Sequence, residues 1–266
     1  IAPEGGKEPL MAMMEGLDMG SEHDVFFEGT WRIPGLYLHD WPDRYIPTNY
    51  DLAANIDPTK LKRAAFIGAV SAWFLANMSD DDVPAVLKLL ERNALSRTAE
   101  MLEHRRNMSP LDQIAVPDIH FTVERRKVHS VEPFAALNES DHAAAVDFLD
   151  QVARSVAVPQ VANVAGVNRN NTVFVRNPSV QGPMGAFGYS YLADKYGAEN
   201  VAALRIRSYA GNGGQYSYEA LNFVDGSRTV SDIRDWLTAE LGVIPLDIVE
   251  EYLEALESID VIRKQE

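Results

Sequence analysis

The sequence predicts an α/β segment followed by a mainly helical region and a small helical module that closes on a strand. Three stretches carry that expectation. Leu36-Tyr37-Leu38 is a short apolar run behind Ile33-Pro34, of strand length and bounded by turn formers. Asn55-Ile56-Asp57-Pro58 reads as a helix start, with Asp57 at the N-cap and Pro58 at the first helical position. From Thr229 to Ile262 a capping box, two helical stripes and a closing apolar pair follow in order.

Residues 1–18 hold Pro3, Gly5, Gly6 and Pro9, which suit a loop, and then the apolar run Leu10 to Met14, expected as a helix packed on the core. Ser21 is placed to cap a helix through Val25-Phe26-Phe27, with Gly29 ending it. A buried strand at Leu36–Leu38 and a fixed loop at Trp41-Pro42-Asp43 are expected next. The helix from Pro58 to Met78 carries Phe66, Ile67, Val70 and Phe74 around much of its girth, which predicts deep burial. Lys60, Lys62 and Arg63 form its polar opening turn.

At Ser79-Asp80-Asp81-Asp82 the composition changes and a second amphipathic helix begins, with Val83, Val86, Leu87, Leu90, Ala94 and Leu95 on one side. Boundaries near Asp80 and after residue 210 divide the chain into 1–79, 80–210 and 211–266. Ile119, Phe121 and Val123 alternate with polar residues, so Arg125-Arg126-Lys127 is expected at a strand end, as a solvated edge. Ser140 marks a helix through Val146, Leu149 and Val152. Residues 159–171 are expected as a loop, Val173-Phe174-Val175 as a strand, and Met184 to Tyr196 as a helix stopped by Gly197. Gly211-Asn212-Gly213-Gly214 has no Lys-Ser/Thr after it and so makes no phosphate cradle; a flexible hinge is expected. In the last stretch Asp225-Gly226 turns, Thr229 with Asp232 forms a capping box, and Gly242 stops a helix lined by Ile233, Trp236, Leu237 and Leu241. Pro245 then opens the final helix.

Composition narrows the chemistry. The chain has 266 residues, 46% hydrophobic and 24% charged, with a net charge of −15, an ordinary globular balance. That acidity argues against a nucleic-acid partner, whose phosphates need clustered Lys and Arg. No apolar run approaches the ~20 residues that span a bilayer, so a membrane partner is not expected. Without cysteine there is no disulfide, thiol nucleophile or CxxC metal site. The composition does not choose a compartment.

Two short motifs carry a family resemblance. Gly20-Ser21-Glu22-His23, with Phe26 after it, and Tyr45-Ile46-Pro47-Thr48-Asn49, with Asp51 after it, are similar to the G-S-D-H-x-x-F and Y-I-H-T-N-x-D motifs of the M28 zinc aminopeptidases. The resemblance covers residues 15–79. It implies the last part of a peptidase-type sandwich of helices on a sheet, with Glu22, His23, Tyr45 and Asp51 near the family's site. Pro47 stands where the family has a metal-ligand His, so no metal ligand is assigned here. In that family two zinc ions polarise the scissile carbonyl and activate a water. Most ligands and the general base lie upstream of the G-S-D-H motif, so this chain is expected to be the C-terminal part of a longer reading frame; it opens with Ile1. The resemblance therefore implies an M28-like metallo-aminopeptidase acting on peptides but inactive as this chain alone, with no cofactor held by these residues. The alternative is a non-catalytic interaction module derived from a peptidase scaffold.

The stretch F-V-D-G-x-R-T-V-x-D-I-R-D from Phe223, with the helix and strand after it, resembles small winged-helix-like modules. From Tyr216 to Glu266 there are 12 acidic and 4 basic residues, a net of −8, which argues against DNA as its ligand.

Other chemistry is thin. His39-Asp40 are adjacent, and adjacent residues on an extended chain face opposite ways. His104, His120, His129 and His142 lack metal-ligand spacing such as HExxH, and there is no G-x-S-x-G elbow. An apolar helix too wide for one strand to cover predicts either a homodimer or a partner supplying the missing half-domain.

Overall fold

The computed structural model describes residues 10, 12–14, 16, 19–40, 44–46, 48–157, 168–186 and 188–265. Most of them are helical. The helices are α1 (His23–Phe27), α2 (Pro58–Asn77), α3 (Val83–Arg105), α4 (Asp112–Val128), α5 (Glu139–Val156), α6 (Tyr191–Tyr196), α7 (Ala198–Ala203), α8 (Gly213–Asn222), α9 (Val230–Leu241) and α10 (Leu246–Ser258). Among the described residues the strands are short: β1 (Phe174–Arg176), β2 (Gly185–Ala186), β3 (Tyr189–Ser190) and β4 (Ile262–Lys264). β1 pairs antiparallel with β4, Val175 opposite Arg263, and β2 pairs with β3.

The central body is built from α3, α4 and α5. On α3 the inward positions Val83, Leu87, Glu91, Ala94, Thr98 and Met101 recur every three or four residues and are all buried, as one helix face must be. Ser79 and Asp82 close a capping box ahead of it, with Ser79 N donating to Asp82 Oδ2 at 2.9 Å. Val128, Val131, Ala145 and Leu149 from α4, the turn after it and α5 pack on Val83 and Leu87. Leu95 points out to solvent. α5 begins at Glu139, capped by Asn138, whose Oδ1 accepts from Asp141 N at 2.9 Å; the expected cap, Ser140, instead donates its hydroxyl to Asn138.

α4 replaces the expected strand through Ile119, Phe121 and Val123. Its buried positions are Asp112, Val116, Pro117, Phe121, Glu124 and Val128, a helical face on which two members are carboxylates. Ion pairs supplied by other helices make those burials affordable: Arg97 of α3 grips Glu124 through Nε (2.8 Å) and Nη2 (2.6 Å). Arg125-Arg126-Lys127 accordingly lies on the last helical turn, where cations suit the helix dipole, and each residue has its own partner. Arg125 pairs with Asp150 at 2.6 Å, Arg126 lies over the Trp236 ring at 5.5 Å, and Lys127 pairs with Glu124 at 2.9 Å.

The second core joins both sides of residue 210. Phe174, Leu192, Leu204 and Ile206 are buried with Tyr216, Ile233, Leu253 and other residues of α8, α9 and α10, so the expected boundary there cuts through one hydrophobic cluster. The Thr229–Asp232 capping box, the Gly242 stop (φ +108°) and the helix opened by Pro245 are all present. The helix expected from Met184 begins only at Tyr191, because Gly185–Ala186 pairs antiparallel with Tyr189–Ser190 and Ser190 supplies the cap; Gly197 (φ +94°) does end it. Within the glycine run at 211–214, Gly213 is closely packed. A Cβ on Gly213 would sit 2.1 Å from the Ile206 carbonyl oxygen, so this glycine is demanded by backbone contact.

Arg234 fastens the two bodies together. Its guanidinium grips both carboxylate oxygens of Asp112 at the start of α4, while Nε donates to Ile244 O at 2.7 Å. Ser109 adds a hydroxyl to Asp112 at 2.8 Å. Burial pushes the Asp112 carboxyl up, but Arg234 and Ser109 outweigh it and hold it below the ordinary range.

Candidate functional site

The residues singled out by the peptidase resemblance lie between residues 20 and 51, and the α1 end of that stretch is seated on the C-terminal core. α1 starts at His23. Its cap residue Glu22 makes no side-chain cap bond, and the expected cap, Ser21, donates to Glu22 Oε2 at 2.6 Å instead. That bond, first of all, holds the exposed Glu22 carboxyl below its usual range.

The face of α1 toward the body is polar and buried. Tyr218 of α8 donates to Asp24 O at 2.6 Å, and Gly29 N donates to Asn222 Oδ1 at 2.8 Å. Glu28, only 1% exposed, pairs with Arg176 of β1 and accepts from Thr30 N at 2.8 Å. A Cβ on Gly29 would lie 2.6 Å from Arg176 Nη1, so a glycine here lets the guanidinium reach Glu28. The G-S-E-H motif thus opens a strap pinned to the C-terminal module.

The buried strand expected at Leu36–Leu38 is not formed. These residues have no regular structure and all three are exposed. Tyr37 instead lies flat on the His23 ring, with centroids 4.0 Å apart, and His39 stacks on Tyr37 at 5.0 Å. Among the described residues no strand lies beside this tripeptide to take its backbone bonds, and Tyr37 is held by ring stacking. Leu10, Met13 and Met14 are also exposed and non-helical, against the helix expected there.

Tyr45 and Asp51 belong to a separate turn. Thr48 N donates to Tyr45 O at 2.6 Å and Asp51 N to Thr48 O at 3.2 Å, and Asp51 faces solvent. Glu22 and His23 are brought together as chain neighbours in α1, while Tyr45 and Asp51 occupy their own local turn. Pro47 and the Trp41-Pro42-Asp43 loop lie outside the described residues, as does most of the polar stretch 159–171. Among the described residues no group of three or more His, Asp or Glu side chains converges on a point where a metal would sit.

The second feature is α2. Asp57 caps it, accepting from Thr59 N at 2.7 Å and Lys60 N at 3.3 Å, and Pro58 is its first residue, as the sequence predicts. The expected deep burial fails: none of its 20 residues is buried. Phe66 and Trp73 are each 66% exposed and Leu61 59%. Lys60 reaches back to Asp40 at 2.8 Å.

No family model, curated protein or solved structure matches this chain. Its chemistry therefore rests on its own residues. What sequence patterns missed was the strap: Glu28, Arg176, Tyr218 and Asn222 are far apart in the chain and carry no shared motif. The one local hint was Gly29, two residues past the end of α1.

Proposed function

We propose that this chain is the C-terminal part of an M28-like metallo-aminopeptidase, inactive as it stands, in which α2 and the segment before it complete a sandwich whose other half lies outside these residues. The observation that carries this reading is α2 itself. A helix of 20 residues is ~30 Å long, and here it turns Leu61, Phe66, Val70 and Trp73 to solvent. At ~25 cal/mol per Å², even a few hundred Å² of such surface represents several kcal/mol of drive toward a covering partner. The strap supports the same reading, since buried ion pairing and hydrogen bonds hold the G-S-E-H motif in one place. The substrate class would be peptides, with zinc held by residues of the other half; a second copy of the chain is the other candidate cover.

A non-catalytic interaction module on the same scaffold is the second reading. It is favoured by the roles His23 and Glu28 already play, stacking and ion pairing within the body. One experiment separates the two. The chain alone, and the chain joined to its natural upstream coding sequence, are assayed with zinc against aminoacyl-nitroanilides. Hydrolysis by the longer product only is expected. A longer product that folds, takes up zinc and remains inert would leave the interaction module standing.

A further inference from the structure

We propose that His129 and His142 form a surface site for one divalent transition-metal ion of the zinc, nickel and copper class, with Glu132 as its outer carboxylate. The two residues are 13 apart in sequence. His129 stands on the turn His129–Val131 that follows α4, and His142 on the first turn of α5. The packing of α4 against α5 brings their rings together, with centroids 4.8 Å apart and planes tilted by 46°.

The nitrogens that meet are both Nε2, 3.2 Å apart. Imidazole nitrogens bind zinc at ~2.05 Å. Two such bonds to nitrogens 3.2 Å apart subtend about 103° at the ion, close to the tetrahedral angle zinc prefers. Ring separation gives an independent check. Two imidazoles bound to a shared ion at that angle hold their centroids about 5 Å apart, near the observed 4.8 Å. A head-on N–H···N contact of the same length would hold them farther apart.

The protonation pattern suits a ligand. Glu132 Oε1 lies 2.9 Å from His129 Nδ1. An ionised carboxylate only accepts, so His129 Nδ1 carries the proton, and in the neutral ring Nε2 then presents the lone pair. This is the carboxylate–histidine–metal arrangement by which outer groups fix the tautomer and raise ligand basicity. At His142 a proton on Nε2 satisfies the present contact with His129. Binding replaces that proton with the ion while the neutral ring takes a proton at Nδ1, so the ligand stays a neutral imidazole and no net proton is released. His129 and Glu132 are both about half exposed, so an ion and the waters completing its shell have open access. Soft or hard cations are not the match: two neutral imidazoles select borderline ions, not calcium or magnesium.

The test uses the full chain at about pH 7.5, where a free histidine is mostly neutral. Zinc is titrated calorimetrically into the wild type and into His129→Gln, His142→Gln, Glu132→Gln and the double His variant, with circular dichroism confirming that each is folded. One site per chain is expected in the wild type, weakened at least ~10-fold in either His variant and about 10-fold in Glu132→Gln. Copper(II) spectra should show two coordinated imidazole nitrogens in the wild type and one in each single His variant. Equal zinc affinity in the wild type and the double variant would overturn the proposal, as would a copper signal that neither substitution changes.

Discussion

The α8–α9 interface contains a carboxyl that ought to weaken the fold, and replacing it makes a sharp test of the packing argument. Glu219 on α8 is 9% exposed, and its nearest hydrogen-bond donor, Asn222 Nδ2, is 3.4 Å away. Burial first, and then the like charge of Glu240, push its carboxyl up to about 8 from an ordinary 4.5, with Asn222 opposing. A raised acid pKa costs stability as pH climbs. Below about 4.5 both folded and unfolded chains are protonated and there is no difference. Between there and 8 the unfolded chain gives up its proton while the folded one keeps it, so stability falls with rising pH and then levels off. At ~1.4 kcal/mol per tenfold change in proton affinity, the full effect is a few kcal/mol. Glu219→Gln keeps the shape and an acceptor for Asn222 while removing the titration. Chemical unfolding of both proteins at several pH values gives the difference curve. It should be near zero around pH 4, then rise to a plateau of roughly 1–3 kcal/mol in favour of the variant above pH 8. A variant no more stable than wild type at pH 8, or a flat difference curve, would refute the assignment of Glu219 as a buried, unpaired acid.

Other expectations follow from the same contacts. Asp112→Asn should lower stability by about 1–3 kcal/mol in thermal unfolding, because it removes one of the two carboxylates that pair with Arg234, Asp235 at 3.1 Å being the other; a loss under 0.5 kcal/mol would show the clamp to be incidental. Glu28→Gln should release the strap, seen as faster proteolysis between residues 20 and 40 while the far-ultraviolet spectrum is kept. Phe66→Asp with Trp73→Ser should convert any self-associated species to monomer on light scattering; a wild type that is already monomeric at high concentration would remove the second-copy cover for α2. Pro47→His alone should give no cleavage of aminoacyl-nitroanilides, since one ligand cannot build a two-metal site.

What the sequence announced was mostly the ends of helices. Asp57-Pro58, Ser79 with Asp82, Thr229 with Asp232 and the Gly197 and Gly242 stops are local devices, decided by residues within a turn of each other, and they survive into the fold; the Ser21 and Ser140 caps do not, each displaced by a neighbouring residue. The failures are where distant chain decides. Asp112 and Glu124 face inward on α4 and break its apolar rhythm, leaving Ile119, Phe121 and Val123 to imitate a strand; the arginines that pair with them, Arg234 and Arg97, come from other helices. Leu36–Leu38 has strand composition but no described strand beside it. The girth of α2 was legible as apolar, yet its burial depends on atoms that composition does not supply. For the candidate site, the motif residues were visible in sequence while the strap that holds them was not, and the His129–His142 pair carried no spacing signal at all.

The strap has a topological consequence for α2. On one side Glu28 and Gly29 are tied to Arg176 and Asn222 across 148 and 193 residues of chain. On the other, Asp80 accepts from Ala136 N at 2.8 Å just before α3 begins. Everything between, α2 included, is therefore one closed loop, with one foot on the C-terminal core and the other on the α3–α5 body that Arg234 joins to it. Closing a loop costs entropy that grows only slowly with its length, and here that cost is met when the body folds. A surface borne on such a loop meets any target attached to the same body at a high effective concentration, set by the span between the feet and not by the amount of protein in solution.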